Sequence, residues 1–110
     1  GKQLFFDPRL SGGNTMSCAS CHKPDRYFAD GIDWNKGEKG VTLVRNTQSC
    51  VNVGFYDSYF WDGRAASLEE QALIPIETDV EMNQPLAELE RELNEIPGYV
   101  EQFQKVFGEK

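Results

Sequence analysis

Apolar residues recur at helical spacing near the end of the chain. Four of them lie three or four positions apart: Leu86, Leu89, Leu93 and Ile96. They follow Pro85, which is well placed as the first residue of a helix, so this stretch predicts a helix with one apolar stripe. Residues 97–98, Pro-Gly, interrupt the pattern. A last helix is predicted to carry on one side Val100, Phe103, Val106 and Phe107.

Shorter helical signals precede this pair. Residues 1–6 resemble the last turns of a helix, which the Asp-Pro pair at residues 7–8 should end. The start of that helix is missing, which suggests a trimmed or excised piece. Residues 67–70 form a capping box that opens a helix, and Pro75 is expected to end it. No strand pattern is convincing, so the predicted fold class is mostly α.

Between the helices the sequence predicts long irregular loops. Residues 27–45 contain three glycines with Asp and Asn between them, and loops of this length in compact domains are usually functional or mobile. Residues 46–63 form a second irregular stretch, in which we expect the closely spaced aromatic side chains to form core. These are Phe55, Tyr56, Tyr59, Phe60 and Trp61.

Length and composition fit one globular domain over residues 1–110. The chain is 39% hydrophobic and 26% charged, and its length is ordinary for a single domain. The formal net charge of −7 argues against nucleic acid as a partner. No apolar run approaches the roughly 20 residues that a membrane-spanning helix needs, so no membrane span is predicted.

The strongest chemical signal is a C-x-x-C-H motif formed by Cys18, Cys21 and His22. In a short helical turn both thiols can reach the vinyl groups of one porphyrin while the imidazole reaches the iron, so this spacing is typical of a c-type haem. A structural zinc or a dithiol site is the alternative, but zinc needs about four ligands, and the one further cysteine or histidine is Cys50. We predict one covalent haem c with thioether bonds at both cysteines and His22 as axial ligand.

The motif also indicates a compartment. Haem is attached to c-type cytochromes outside the cytoplasm, so we expect a periplasmic location. Cys50 is then an odd cysteine in an oxidising environment. We interpret it as a buried, small apolar residue.

The role of the iron depends on the group opposite His22. The chain has no second histidine, and Met16 is too close to the motif to reach the far face easily. Met82 is a candidate sixth ligand, which would make the chain a monohaem electron-transfer cytochrome; an open site is the main competitor. An open iron would permit peroxide chemistry, or only the binding of a small ligand such as NO or CO.

Several motifs together resemble one known family. They are residues 4–11, 17–22, 45–47, 60–68, Gln71 and 80–82. In these segments the chain is similar, almost end to end, to the amino-terminal peroxidatic haem domain of bacterial di-haem cytochrome c peroxidases and their MauG relatives. The resemblance implies a cytochrome c-like haem domain that reduces hydrogen peroxide to water. It also implies electrons from a second haem and from a small cytochrome or cupredoxin.

The resemblance assigns roles to individual residues. His22 matches the proximal ligand of the haem at which peroxide is cleaved. Gln71 and Glu81 match the polar pair over the distal face, where the carboxylate moves a proton between the two peroxide oxygens. Trp61 matches the tryptophan that lies between the two haems. Asn46 matches a residue that helps to hold calcium at the domain boundary, a site that would be incomplete in this chain alone.

The chain also departs from the family. Glu38 stands where many members have a histidine that caps the resting haem; a carboxylate is a poor ligand there, so we expect it to point to water and leave the site open. Gln48 replaces a proline that is common after residues 45–47. The second domain with its own C-x-x-C-H is absent. The chain is thus expected to be a fragment, or to receive the second haem from a partner, and MauG-type protein oxidation is a variant of the activity.

Overall fold

A computed structural model describes residues 1–108 and is mostly α, as the sequence predicts. Its α-helices are α1 (Lys2–Phe5), α2 (Cys18–Cys21), α3 (Leu68–Glu77), α4 (Leu86–Asn94) and α5 (Pro97–Phe107). Three short 3-10 helices lie between them, at Pro8–Leu10, Pro24–Arg26 and Val53–Phe55. Within these residues β structure is limited to isolated bridges. No helix in this part of the chain is long and apolar enough to cross a bilayer.

The amino-terminal helix ends where the sequence indicates. Asp7 accepts a hydrogen bond from the Arg9 amide at 2.9 Å and so caps the 3-10 helix that follows, with Pro8 in its first turn. Asp7 is buried, and its carboxylate also accepts the hydroxyl of Tyr99 at 2.6 Å. Since Tyr99 lies on α5, this contact joins the two ends of the described chain.

Helix α3 begins as predicted but ends later. Ser67 accepts a hydrogen bond from the Glu70 amide at 3.1 Å, which is the expected cap. The prediction that Pro75 ends the helix is wrong, because α3 continues to Glu77. The proline removes one amide donor, but the next turn is closed by the Thr78 amide on the carbonyl of Ile74 at 2.9 Å.

Residues 78–84, which we call the return loop, donate hydrogen bonds to the last turn of α3. The Met82 amide donates to the carbonyl of Pro75 at 3.1 Å, and the Gln84 amide donates to Ile76 at 2.9 Å. The carboxyl end of α3 is therefore fixed by tertiary hydrogen bonds that local helix signals do not contain.

The stripe of α4 packs on a small core, as predicted. The buried members of this cluster are Leu10, Ile76, Met82 and Leu89, with Leu86 and Leu93 packed against them. Pro85 is the residue before α4 instead of its first residue. On α5 the buried residue is Tyr99. Of the expected apolar side, Val100 and Phe103 are half-buried, whereas Val106 and Phe107 are 72% and 67% exposed.

The two irregular loops are present, but the aromatic core prediction is wrong for most of its members. Phe55 and Trp61 are 87% and 62% exposed, and Tyr56 is also exposed. Phe60 instead lies under the guanidinium of Arg64, 3.5 Å from the ring centre. Aliphatic side chains fill the core described above, so these rings remain at the surface.

Candidate functional site

The C-x-x-C-H motif forms one helical turn. Ser17 and Ser20 close a capping box at the start of α2, in which the Ser17 amide donates to the Ser20 hydroxyl at 2.9 Å. Cys18 and Cys21 are therefore one turn apart and lie on the same side of the helix. Both side chains are half-buried, and burial raises the pKa of each thiol. Cys18 also packs against the core.

His22 follows α2 directly and is oriented by the next loop. Its Nδ1 lies 3.0 Å from the carbonyl oxygen of Phe28, a residue held in the left-handed region at φ 58°. Because a carbonyl only accepts hydrogen bonds, Nδ1 carries the proton and Nε2 keeps its lone pair for a metal. The ring of Phe5 lies beside the imidazole, with 6.4 Å between ring centres. Two thiols on one turn and an imidazole with a free Nε2 fit a covalently attached haem.

Cys50 is a second neighbour of the imidazole. Its Sγ lies 3.2 Å from His22 Nδ1, although 28 residues separate the two in sequence. The interpretation of Cys50 as a buried apolar residue is therefore incomplete, since the thiol is half-buried and contacts the side chain expected to bind iron. No sequence motif signals this contact, because it depends on how the loop after Asn46 returns to the motif.

Glu81 lies on the return loop in a half-buried position. Burial raises the pKa of its carboxyl group, against a smaller opposing effect from the positive charge of Arg64. The Glu81 amide donates to the carbonyl of Thr78 at 2.9 Å, which fixes the turn that presents the residue. A carboxyl group with a raised pKa suits proton transfer near neutral pH. Gln71, its expected partner, is half-buried in the first half of α3.

Met82 is part of the core. Its side chain is 6% exposed and packs with Leu10, Ile76 and Leu89. Enclosure of the thioether by aliphatic side chains favours a packing role for Met82. A monohaem electron-transfer cytochrome, the alternative function, would instead require Met82 to bind the iron.

Glu38 does not point freely to water, so that expectation is wrong. The residue is half-buried, and its carboxylate accepts a hydrogen bond from Asn83 Nδ2 at 3.3 Å. Its amide donates to the carbonyl of Glu81 at 2.7 Å. The glycine-rich loop is thereby attached to the return loop.

Trp61 and Asn46 form a second group. The indole Nε1 of Trp61 donates to the carbonyl oxygen of Asn46 at 3.0 Å, and the Asn46 amide nitrogen donates to the carbonyls of Ile32 and Asp33. A cavity of about 310 Å³ lies here; it is lined by Trp34, Val44, Arg45, Asn46 and Trp61. Within residues 1–108, no three His, Cys, Asp or Glu side chains are grouped so as to hold a metal ion.

Comparison with known proteins places this geometry in a family. The family model described as di-haem cytochrome c peroxidase matches residues 1–110. The chain belongs to this family. Within it, the chain is 44% identical over 109 residues to the methylamine utilization protein MauG of Methylophilus methylotrophus. It is 42% identical over 107 residues to the cytochrome c551 peroxidase of Pseudomonas aeruginosa.

Solved structures of di-haem peroxidases share the fold. A MauG-like protein associated with microbial copper homeostasis matches with a TM-score of 0.89 at 32% identity, over 97% of this chain and 32% of that one. The diheme peroxidase BthA from Burkholderia thailandensis matches with a TM-score of 0.87 at 32% identity, over 97% of this chain and 31% of its own.

The family match covers this chain but only part of its relatives. The alignment with MauG takes in 99% of this chain and 32% of MauG, and that with the P. aeruginosa peroxidase takes in 97% and 31%. The chain therefore spans about a third of the length of the di-haem peroxidases that it matches.

Proposed function

We propose that residues 1–110 form one c-type haem domain at which hydrogen peroxide is reduced to water. One haem is attached through Cys18 and Cys21, and His22 Nε2 is the axial ligand. The observation that carries this proposal is Glu81, a half-buried carboxyl group with a pKa raised by burial, in a family of di-haem peroxidases. When bound, the haem supplies the iron at which the O–O bond is broken and through which electrons arrive.

Glu81 and Gln71 assist this cleavage. The Glu81 carboxylate accepts a proton from the peroxide oxygen nearer the iron and returns it to the departing oxygen, which leaves as water. Two electrons and two further protons complete the reduction of one peroxide to two waters. Gln71 orients the peroxide by hydrogen bonding. Half-burial supports these roles, because a carboxyl group with restricted access to water holds its proton more tightly than an exposed one.

Trp61 is proposed as the entry point for electrons. It is 62% exposed, which leaves its ring available to a further part of the protein or to a partner. The electrons come from a second haem domain or subunit, and before it from a small cytochrome or cupredoxin. The hydrogen bond from Trp61 to the Asn46 carbonyl supports a shared boundary at which Asn46 takes part in calcium binding. The periplasm is the location consistent with haem c.

Oxidation of a protein substrate is a second candidate function. It is favoured by the 44% identity to the methylamine utilization protein MauG, which is as high as the identity to named peroxidases. Both functions begin with the same peroxide reaction and differ in the source of electrons. The alternative of a monohaem electron-transfer cytochrome has less support, because its expected sixth ligand, Met82, lies in the core.

The test is Glu81→Gln in the haem-loaded protein, with Glu77→Gln, an exposed change at the end of α3, as matched control. Stopped-flow absorbance measures the reaction of the ferric protein with peroxide. We expect the Glu81 variant to react roughly 100-fold more slowly and the control to be unchanged. An unchanged rate in the Glu81 variant would remove it from the mechanism. A low-spin, thioether-ligated ferric spectrum that does not respond to peroxide would instead favour a monohaem electron-transfer cytochrome.

A further inference from the structure

Glu38 joins the glycine-rich loop to the return loop through two residues, Glu81 and Asn83. Its amide donates to the carbonyl of Glu81 at 2.7 Å. Its carboxylate accepts from Asn83 Nδ2 at 3.3 Å, two residues further along. Glu81 and Asn83 are more than forty positions from Glu38 in sequence, so these bonds are tertiary contacts and not part of a local turn.

Glycines allow the loops to approach this closely. A Cβ atom at Gly37 would lie 1.7 Å from the carbonyl oxygen of Val80, and one at Gly13 would lie 2.0 Å from Glu38 Oε1. Gly12 packs in the same way against the carbonyl of Asn83. At Gly37 and Gly12 the added Cβ would meet backbone atoms, so a side chain there would push the segments apart. At Gly13 it would meet the flexible end of the Glu38 side chain, which would have to move.

A third segment, which contains Gly12, also bonds to the return loop. The Gly12 amide donates to the carbonyl of Met82 at 2.9 Å. Asn83 itself adopts φ 53° in the left-handed region, which an asparagine tolerates better than most residues. Its side-chain bond to Glu38 therefore also holds an unfavourable backbone conformation. The return loop is thus hydrogen-bonded to other segments at Glu81, Met82 and Asn83.

We propose that Glu38 is a positioning residue that holds the segment carrying Glu81 in a fixed position at the proposed peroxide site. The proposal deepens the proposed function and rests on it, because it assigns to Glu38 the placement of the group that moves the proton. Glu38 does not touch peroxide or iron. It acts by accepting the Asn83 hydrogen bond and by presenting its amide to the Glu81 carbonyl.

Misplacement of a catalytic group by about 1 Å can slow a reaction roughly 100-fold. Glu38→Ala removes the acceptor for Asn83 and frees the loop, so we expect the peroxide reaction to slow by about 10- to 100-fold. Glu38→Gln keeps an acceptor oxygen and should retain most of the rate. Asn83→Asp keeps the tolerance for positive φ but places a carboxylate against Glu38, so it should behave like Glu38→Ala.

The experiment uses these three variants of the haem-loaded protein and Lys39→Ala, an exposed change on the same loop, as control. Hydrogen exchange of peptides covering residues 36–41 and 79–84 reports the attachment of the loops independently of activity. We expect exchange in both peptides to be at least about tenfold faster in Glu38→Ala and Asn83→Asp, and unchanged in Glu38→Gln and Lys39→Ala. Stopped-flow rates with peroxide should follow the same order.

The outcomes separate this inference from the proposed function. Unchanged exchange in both Glu38→Ala and Asn83→Asp would overturn the inference, whatever the rates. The inference would also be overturned if hydrogen exchange becomes faster in these variants while their rate of reaction with peroxide stays unaltered and that of Glu81→Gln is slow. If Glu81→Gln reacts as fast as the unaltered protein, the proposed role of Glu81 fails, and the positioning role fails with it even where the loops have loosened.

Discussion

Replacement of Tyr99 by Phe tests the contact between the two ends of the described chain. The Tyr99 hydroxyl donates to the Asp7 carboxylate at 2.6 Å, across 92 positions of sequence, and both residues are buried at 8% exposure. The Asp7 carboxylate also accepts hydrogen bonds from the guanidinium group of Arg9. Tyr99→Phe removes one hydroxyl and leaves the ring, so packing is preserved and the lost hydrogen bond dominates the effect.

The magnitude follows from the charge and burial of the acceptor. A hydrogen bond to a charged group contributes about 1.5 to 3 kcal/mol, and here one partner remains buried after the change. For a domain of this size that corresponds to a fall in melting temperature of about 6 to 12 °C. Thermal and denaturant unfolding of the haem-loaded protein, followed by circular dichroism, measures the difference. Tyr27→Phe is the matched control, because Tyr27 is 82% exposed.

The effect should depend on pH in a defined direction. Hydrogen bonds from Arg9, and then from Tyr99, hold the pKa of Asp7 well below its ordinary value despite its burial. A carboxyl group with a lowered pKa contributes stability that is present above its unfolded pKa of about 4 and is lost as pH falls through the folded value. The difference between Tyr99→Phe and the unaltered protein should therefore be constant near neutral pH and shrink in acid. A difference below about 0.5 kcal/mol at neutral pH, the usual size of a surface effect, would refute this reasoning.

Two further predictions concern Cys50 and the proposed proton-transfer role of Glu81. Cys50→Ala removes a polar neighbour of His22 Nδ1, which should weaken electron donation by the imidazole to the iron and raise the haem reduction potential. Cys50→Ser should raise the potential less. Equal reduction potentials in the unaltered protein and both variants would show that the contact has no effect. Because burial raises the pKa of Glu81, the rate of the peroxide reaction should fall in acid at a higher pH than an exposed glutamate would give. Glu81→Gln should abolish this fall in rate. If the variant shows the same fall, another group is responsible for it.

Local signals predicted the parts of the fold that depend on a few neighbouring residues. The spacing of Cys18, Cys21 and His22 predicted a single helical turn, and α2 is one turn. The apolar stripe of α4 likewise predicted the face that packs on the core, because a 3.6-residue period needs only the sequence of that helix. The capping residue Ser67 gave the start of α3 for the same reason.

The predictions that failed depend on contacts between distant residues. Pro75 is a strong local breaker, yet the return loop bonds to the carbonyls of Pro75 and Ile76 and keeps the last turn of α3 helical. The density of rings at 55–61 suggested core, but exposure depends on which elements cover them, and at Phe55 and Trp61 nothing in residues 1–108 does so fully. The bond between Glu38 and Asn83 joins positions 45 apart in sequence, so no local signal at either residue predicts it.

The placement of Glu81 and its raised pKa have one structural origin. A glutamate on an exposed loop would keep an ordinary pKa and would sample many positions, and both properties would make it a poor proton shuttle near neutral pH. Here the glycines of two loops let backbone pack against the return loop at short range, which restricts the movement of the segment that carries Glu81. Glu38 adds two hydrogen bonds to the same segment. A change that loosens these loops should give the Glu81 carboxyl group more access to water, and so lower its pKa and its effectiveness together.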